Sequence, residues 1–167
     1  MKKNVGFNEL DFHITDAEIS SAINKLKCNK SPGLDNVTNN MLKCSQSFLT
    51  NSLLKIFNAC LMFGIYPEPW AEGYIKKLFK SCNVDDPNNY RGLTLTSSVG
   101  KLFSSILNSR LDKFLEKYNL IDDCQIGFTK KARTSDHMFV LKCIIDRYCA
   151  NKEGRVFACF VDLKKSL

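Results

Sequence analysis

Near the N-terminus, apolar side chains recur at helical spacing directly after a pattern that is typical of a helix start. Residues 15–18 read Thr-Asp-Ala-Glu, a capping box in which the threonine and glutamate side chains each bond the other residue's backbone N–H. The apolar positions that follow are Ile19, Ile23 and Leu26. This spacing predicts an amphipathic helix. We expect the helix to end before Pro32 and Gly33, because proline has no backbone N–H and glycine favours a turn.

Two more helices are predicted in the first half of the chain. A short one covers residues 36–44. A longer one ends at Gly64, since Pro67 and Pro69 follow within a few residues. The apolar positions of the longer helix are Phe48, Leu53, Phe57, Cys60 and Leu61.

The strongest amphipathic pattern lies in the second half and predicts a helix of roughly five turns with a wide apolar stripe. Its apolar positions are Val99, Leu102, Phe103, Ile106, Leu107, Leu111, Phe114, Leu115 and Tyr118. A loop over residues 119–133 then precedes another helix, for which Thr134, Ser135 and Asp136 are candidate caps. The apolar positions of this last helix are Phe139, Val140, Cys143, Ile144 and Tyr148.

Two segments have the character of strands. Residues 73–79 are aromatic and β-branched without a helical period, and the Asn-, Asp- and Pro-rich stretch 81–89 after them predicts a loop. Residues 155–162 contain a six-residue apolar run from Val156 to Val161, which predicts a strand buried on both faces. Such a strand needs a partner on each side, so we expect an α+β fold with an incomplete sheet that continues beyond this chain.

Composition excludes several classes of protein. The chain has 167 residues, of which 44% are hydrophobic and 25% charged, so it is long enough for one domain and is not intrinsically disordered. No apolar run approaches the ~18 residues of a membrane span, and the basic N-terminus lacks the apolar stretch of a secretory signal. We therefore expect an intracellular protein, in the cytoplasm or nucleus, with no membrane partner.

The cysteines and histidines do not indicate a metal or disulfide framework. Eight cysteines are scattered without a Cys-x-x-Cys pair, and the two histidines are far apart. Cys60, Cys143 and Cys159 fall within apolar segments, where a reduced cysteine behaves as a small buried hydrophobe.

A net charge of +7 and a pI near 9.0 make a polyanionic partner worth considering. The basic residues form two clusters, which are Lys76, Lys77 and Lys80, and Lys130, Lys131 and Arg133. Aromatic residues stand beside both clusters, as suits a phosphate backbone with stacked bases. The alternative for each lysine is an ordinary solvated surface position.

Asp162 directly follows the apolar run of residues 156–161. A carboxylate at a strand end is held rigidly and faces the crevice where sheets commonly bind ligands. Magnesium prefers such oxygens. On the residues alone, the alternative that Asp162 caps a following turn stays open.

Several short blocks, in order along nearly the whole chain, resemble the reverse transcriptases (RNA-directed DNA polymerases) of non-LTR, LINE-type retrotransposons. Residues 160–167 are similar to the opening of the palm motif of that family, Phe-x-Asp-x-x-Lys-Ala-Phe-Asp, and residues 30–35 are similar to its upstream Lys-Ser-Pro-Gly-x-Asp motif. The other blocks are residues 69–70 with 74–75, 89–95, 100–102 with 108–111, 125–128 and 133–137.

This resemblance implies an N-terminal extension over residues 1–14 and a partial reverse transcriptase domain over residues 15–167. The domain would hold the mainly helical fingers region and the first palm strand of a right-hand polymerase, cut within the first catalytic palm motif. Asp162 would be a catalytic residue that helps to hold two Mg²⁺ ions, which can stabilise the attacking and leaving oxygens. The family supplies its other carboxylates from a Tyr-x-Asp-Asp hairpin that this sequence lacks, so we expect the isolated chain to be inactive.

The resemblance also implies partners and contacts. The parent enzyme would bind an RNA template, a DNA primer and deoxynucleotides, with Arg91 over the triphosphate of the incoming nucleotide; a solvated loop arginine is the alternative. Phosphate contacts are also expected from Lys130, Lys131 and Arg133, and nucleic-acid contacts from Lys76, Lys77 and Lys80.

The chain departs from the family pattern at three positions. Thr129 replaces a frequent arginine, Ser166 replaces alanine, and Leu167 stands at the aromatic position that packs under the nucleotide sugar. A second interpretation is therefore a non-catalytic RNA- or DNA-binding remnant of a retroelement, and a third is a relic with no selected role.

Overall fold

The computed structural model describes residues 10–122, 124–128, 133–150 and 154–161. The chain divides after Tyr118 into two compact units. Over the described residues, no helix combines the length and apolar character that crossing a membrane requires. In chain order the elements are α1 Asp16–Lys25, α2 Asn39–Cys44, α3 Gln46–Phe63, α4 Glu68–Ala71, β1 Gly73–Phe79, β2 Tyr90–Thr96, α5 Ser98–Tyr118 and α6 Thr134–Tyr148.

The capping box at the start of α1 is confirmed. The Thr15 hydroxyl accepts a hydrogen bond from the Glu18 N–H at 3.4 Å, and the Glu18 carboxylate accepts one from the Thr15 N–H at 2.9 Å. The helix ends at Lys25, before Pro32 as expected.

Helix α2 starts at Asn39, three residues later than the pattern indicates. The delay has a local cause, because the Asp35 carboxylate accepts a hydrogen bond from the Val37 N–H at 3.1 Å and Asn36 has a left-handed backbone with φ of 54°. This turn prevents the helix from starting earlier. The Thr38 hydroxyl then caps the helix by accepting from the Met41 N–H at 3.2 Å.

The long helices of the first unit are confirmed, and their ends have clear causes. Helix α3 stops at Gly64, which has a left-handed φ of 62° that glycine adopts without strain. Helix α5 starts after Ser97, whose hydroxyl accepts hydrogen bonds from the N–H groups of Val99 at 3.2 Å and Gly100 at 3.3 Å. The sequence pattern did not identify this cap.

The core of the first unit forms where α1, α3 and α5 meet. Phe57 lies at its centre, with its ring centroid 5.1 Å from that of Phe103 and 5.8 Å from that of Trp70. Cys60 is buried as expected, and burial raises the pKa of its thiol. The buried core residues are Ile14, Ile19, Ile23, Leu53, Phe57, Cys60, Leu102, Phe103 and Ile106.

Arg110 of α5 fastens the N-terminal segment to this helical body. Its Nε and Nη2 atoms donate to the two carboxylate oxygens of Glu18 at 2.7 and 2.8 Å. The remaining N–H groups donate to the backbone carbonyls of Leu10, Phe12 and His13. The guanidinium lowers the pKa of Glu18 from 4.5 to about 2, because its hydrogen bonds favour the ionised carboxylate.

Strands β1 and β2 form a two-stranded antiparallel hairpin. The prediction of β1 is confirmed to the residue, whereas β2 was not predicted as a strand. The loop between them contains a short 3₁₀ turn over Pro87–Asn89. Helices and a small sheet together agree with the expected α+β class.

The prediction of a buried strand over residues 155–162 is wrong for the residues that the structure describes. Residues 154–161 have no regular secondary structure, and Phe157 and Phe160 are 92% and 83% exposed. A strand needs a hydrogen-bonded partner, and the single sheet of the described chain has only the strands β1 and β2. Cys159 is accordingly exposed rather than buried, and Asp162 lies outside the described residues.

Helix α6, in the second unit, is confirmed in extent. Its N-cap residue is Arg133, whereas the candidates Thr134, Ser135 and Asp136 all lie within the first turn of the helix. Asp136 contributes from there, because its carboxylate accepts a hydrogen bond from the Arg133 N–H at 2.8 Å. Cys143 is exposed, contrary to expectation, because no residue of this helix is buried. Its exposed apolar side chains include Met138, Phe139, Val140, Ile144, Ile145 and Tyr148.

The lowered pKa of Glu18 predicts a pH-dependent contribution to stability. The ionised carboxylate should stabilise the fold fully above about pH 4.5, and this contribution should fall as the pH drops towards 2. The Glu18 side chain is 28% exposed, so we expect roughly 2 kcal/mol rather than the full value of the shift. Chemical denaturation of wild type and Glu18→Gln should show this difference at pH 7 and a shrinking difference on acidification.

Asp16→Asn is the matched control, since Asp16 is an exposed carboxylate in the same first turn. It should cost well under 1 kcal/mol. A gap between wild type and Glu18→Gln that stays constant from pH 7 to pH 2 would contradict the expected role of the ionised carboxylate.

Candidate nucleic-acid interface

The hairpin exposes both of its faces over most of its length. Strand β1 is exposed throughout, and β2 is exposed from Arg91 to Thr94 before it becomes buried at Leu95. Side chains alternate between faces along a strand, and directly paired residues share a face. The arginine face therefore carries Tyr74, Lys76, Leu78, Arg91, Leu93 and Leu95, and the aromatic face carries Ile75, Lys77, Phe79, Tyr90, Gly92 and Thr94.

Arg91 and Lys76 lie on the arginine face as diagonal neighbours. Arg91 pairs with Leu78, and Lys76 pairs with Leu93, and such diagonal positions are roughly 7–8 Å apart. Lys80 directly follows β1, and its backbone N–H donates to the Asn89 carbonyl at 2.8 Å, which extends the ladder by one residue. By the same alternation Lys80 falls on the arginine face. Three of the residues predicted from sequence are therefore on one side of the hairpin.

Lys77 lies on the opposite, aromatic face. It pairs with Gly92, next to an aromatic pair in which the rings of Phe79 and Tyr90 have centroids 5.4 Å apart. The Tyr90 hydroxyl donates to the Val84 carbonyl at 2.9 Å, which restrains its ring. The structure thus divides the lysine cluster that looked continuous in sequence into two separately placed groups.

The base of the hairpin is held by the loop that contains residues 30–35. A Cβ atom on Gly33 would lie 2.6 Å from the Thr96 carbonyl carbon and 2.7 Å from the Ser97 nitrogen. The Ser98 hydroxyl donates to the Val37 carbonyl at 2.7 Å at the same junction. Sequence reasoning took Gly33 as a turn residue and as part of the motif over residues 30–35, and missed this close approach.

Other sequence blocks also meet on α5. A Cβ on Gly100 would lie 2.8 Å from the Trp70 Cβ, so residues 100–102 and 69–70 are adjacent in space. Arg110, from residues 108–111, holds Glu18 and the N-terminal segment. Segments that are distant in sequence therefore assemble along one helix.

The remaining site residues are only partly described. Arg133 is exposed, directly before α6, and its backbone N–H is bonded to Asp136. Outside the described residues lie Lys130, Lys131, Asp162 and Leu167, and the departures Thr129 and Ser166.

The described part of the chain does not fit a magnesium site. It contains no group of three or more His, Cys, Asp or Glu residues that could hold a metal ion. Two magnesium ions held by a cluster of carboxylates would therefore need ligands beyond the described residues.

No protein-family model matches this chain. Similarity to individual proteins is extensive, however. A probable RNA-directed DNA polymerase from transposon BS of Drosophila melanogaster is 29% identical over 155 residues, which cover 89% of this chain and 16% of that protein. The RNA-directed DNA polymerase from the mobile element jockey of Drosophila melanogaster is 27% identical over 154 residues, 92% of this chain and 17% of that protein.

A putative 115 kDa protein in the type-1 retrotransposable element R1DM of Drosophila melanogaster is also similar, with 26% identity over 151 residues. The resemblance to non-LTR retrotransposon reverse transcriptases is confirmed. This reverse-transcriptase-like chain spans about a sixth of the length of these relatives, at 14% to 17% of each.

The division of the hairpin into two faces predicts which charges act together on RNA. The effects of Lys76→Ala and Arg91→Ala on RNA affinity should be coupled, because one RNA backbone would contact both side chains. The fold loss of affinity in the double variant should therefore be smaller than the product of the two single fold losses. The fold losses of affinity caused by Lys77→Ala and Arg91→Ala should multiply in the double variant, since Lys77 is on the other face. Fluorescence anisotropy with a labelled single-stranded RNA measures the affinities of wild type, the three single variants and the two double variants, and equal coupling in both pairs would contradict the two-face arrangement.

Proposed function

We propose that this chain is part of a retrotransposon RNA-directed DNA polymerase and supplies its fingers region and the start of its palm, within residues 15–167, after an N-terminal extension over residues 1–14. The observation that carries the proposal is similarity to such polymerases along about nine-tenths of the chain. The exposed hairpin supports it, because it presents cationic side chains on a paired backbone.

In this proposal Arg91 binds the triphosphate of the incoming deoxynucleotide. A guanidinium offers a planar fork of N–H donors that matches phosphate oxygens in pairs. Arg91 is exposed on β2, where the ladder to β1 fixes its backbone. Its exposure leaves the guanidinium accessible to a ligand.

The lysines are proposed to contact the template and primer. Lys76 and Lys80 would act from the arginine face and Lys77 from the aromatic face, beside the Phe79 and Tyr90 rings that offer stacking surfaces for bases. In the second unit, further phosphate contacts are proposed for Lys130, Lys131 and Arg133. We further propose that the parent protein acts inside the cell, in the cytoplasm or nucleus.

Roles at the catalytic centre rest on sequence resemblance alone. We propose Asp162 as the catalytic and metal-holding carboxylate of a magnesium-dependent parent enzyme, and Leu167 as the residue under the nucleotide sugar. The 167 residues contain no Tyr-x-Asp-Asp sequence, and one carboxylate cannot position two cations by itself. The isolated chain is therefore proposed to be inactive.

Primer extension tests this proposal. The purified 167-residue chain should extend no DNA primer on an RNA template with magnesium and deoxynucleotides, because the carboxylate set is incomplete. A retroviral reverse transcriptase in the same buffer is the positive control. Appreciable nucleotide incorporation, abolished by Asp162→Asn, would refute inactivity while supporting the role of Asp162.

The second candidate function is nucleic-acid binding without catalysis, which the basic arginine face favours. Three contacts, from Arg91, Lys76 and Lys80, imply a slope of log affinity against log salt near −2 for single-stranded RNA. Raising the salt from about 50 to 200 mM should weaken binding roughly 15-fold or more. Binding should show little preference for sequence, since phosphate contacts do not read bases.

Anisotropy titrations of wild type and Arg91→Ala over a range of salt concentrations measure the RNA affinity and its salt slope. The variant should lower the steepness of the salt slope by about 0.7, the contribution of one phosphate contact. The absence of RNA affinity at about 50 mM salt would remove this candidate function.

A further inference from the structure

The hairpin is joined to the helical body through a very short connection. Ser97 is the single residue between the end of β2 and the start of α5, and it is buried together with Ser98. Beyond the buried Leu95, the strand is exposed towards Arg91. The backbone of residues 95–98 is therefore one of the two anchors of the hairpin; the other is Glu72, the single residue between α4 and β1.

Gly33 occupies the space beside this junction. A Cβ atom there would lie 2.6 Å from the Thr96 carbonyl carbon and 2.7 Å from the Thr96 oxygen, whereas ordinary contacts begin at 3.4 Å. Both neighbouring atoms belong to the backbone, so a side-chain rotation cannot relieve the overlap. The loop carries a second restraint, the 2.7 Å hydrogen bond from the Ser98 hydroxyl to the Val37 carbonyl.

The close approach explains why glycine stands at position 33. The Asn36 N–H donates to the Gly33 carbonyl at 3.2 Å, so Gly33 is the first residue of a turn, a position that does not itself require glycine. The residue in this turn with a left-handed backbone is Asn36, with φ of 54°. Packing against the strand end, not turn geometry, is what a side chain at position 33 would disturb.

A small displacement at the junction becomes large at Arg91. Arg91 is five residues from Thr96, roughly 17 Å along an extended strand. A methyl group on Gly33 requires a shift of about 0.8 Å to regain normal contact. If the hairpin accommodates it by tilting about 10°, Arg91 moves by about 3 Å, which is enough to break a hydrogen bond to phosphate.

We propose that Gly33 is a positioning residue for the arginine face: the absent side chain lets residues 30–35 hold the end of β2 and thereby fixes where Arg91 and Lys76 meet a phosphate. The inference rests on the second candidate function, in which Arg91 and Lys76 contact an RNA backbone. It assigns residues 30–35 a mechanical role towards residues 89–95, through the close contact of Gly33 with Thr96 and Ser97.

A double-mutant cycle on RNA affinity tests this role in the full 167-residue chain. Gly33→Ala should weaken binding of a labelled single-stranded RNA roughly five- to tenfold, and so should Arg91→Ala. The double variant should be no weaker than the weaker single variant, because a displaced Arg91 has already lost its phosphate. Gly33→Ala should also flatten the salt slope as Arg91→Ala does.

A merely structural effect of Gly33→Ala would give a different result. A partly unfolded sample lowers the fraction of binding-competent protein, which raises the apparent Kd by that fraction and leaves the salt slope unchanged. Multiplicative losses in the double variant, or wild-type affinity in Gly33→Ala, overturn the proposal.

Ser31→Ala is the matched control from the same loop and should bind RNA normally. A loss equal to that of Gly33→Ala would mean that the loop itself contacts RNA, and would also overturn the proposal.

Two further outcomes are separable. Normal RNA binding by Arg91→Ala refutes the proposed contact of Arg91 with the RNA backbone, and with it the positioning role of Gly33. A loss in Arg91→Ala together with wild-type affinity in Gly33→Ala refutes only the positioning role. If circular dichroism shows that Gly33→Ala does not fold, Ser98→Ala tests the proposal instead, because it removes the hydrogen bond from the Ser98 hydroxyl to the Val37 carbonyl at the same junction. A loss of RNA affinity in Ser98→Ala that is coupled to the loss in Arg91→Ala supports the proposal, and unchanged affinity refutes it.

Discussion

The hydrogen-bonded pair of Arg110 and Glu18 is the constraint on which the helical body depends. The Arg110 side chain is 11% exposed and donates both to the Glu18 carboxylate and to the backbone of the N-terminal segment. Glu18 at the same time completes the capping box of α1. Because removing one partner would leave a largely buried charge without its counterion, the start of α1, the N-terminal segment and the middle of α5 are held as one assembly.

Helix α5 connects this assembly to the hairpin. One of its faces packs Leu102, Phe103 and Ile106 into the core, and its first turn is capped by the residue that ends the strand connection. Gly33 lies close to Thr96 and Ser97, directly before the helix, and Gly100 in its first turn lies close to Trp70, so two other segments meet at the N-terminal end of α5. The position of the basic surface is therefore determined by packing around one helix rather than by the hairpin sequence itself.

Sequence predicted the helices well where a local signal marks their ends, as at Thr15 and Gly64. It failed where the outcome depends on a distant partner. Residues 90–96 form a strand because β1 is beside them, although Gly92 weakens their pattern. The more apolar residues 155–161 form no strand.

The candidate site was predicted only in part. The basic residues were identified from the sequence. The alternation that separates Lys76 from Lys77, and the contact at Gly33, depend on the folded backbone and were not predicted.

The single-residue connection at Ser97 also limits how the length of this chain can vary. Each residue added between β2 and α5 would rotate the helix by about 100° about its axis, so that the stripe containing Leu102 and Ile106 would turn away from the core. Residues added to the exposed loop 81–85 would only lengthen a surface turn. Homologous chains should thus differ in length at the tip of the hairpin and keep the same spacing at its base.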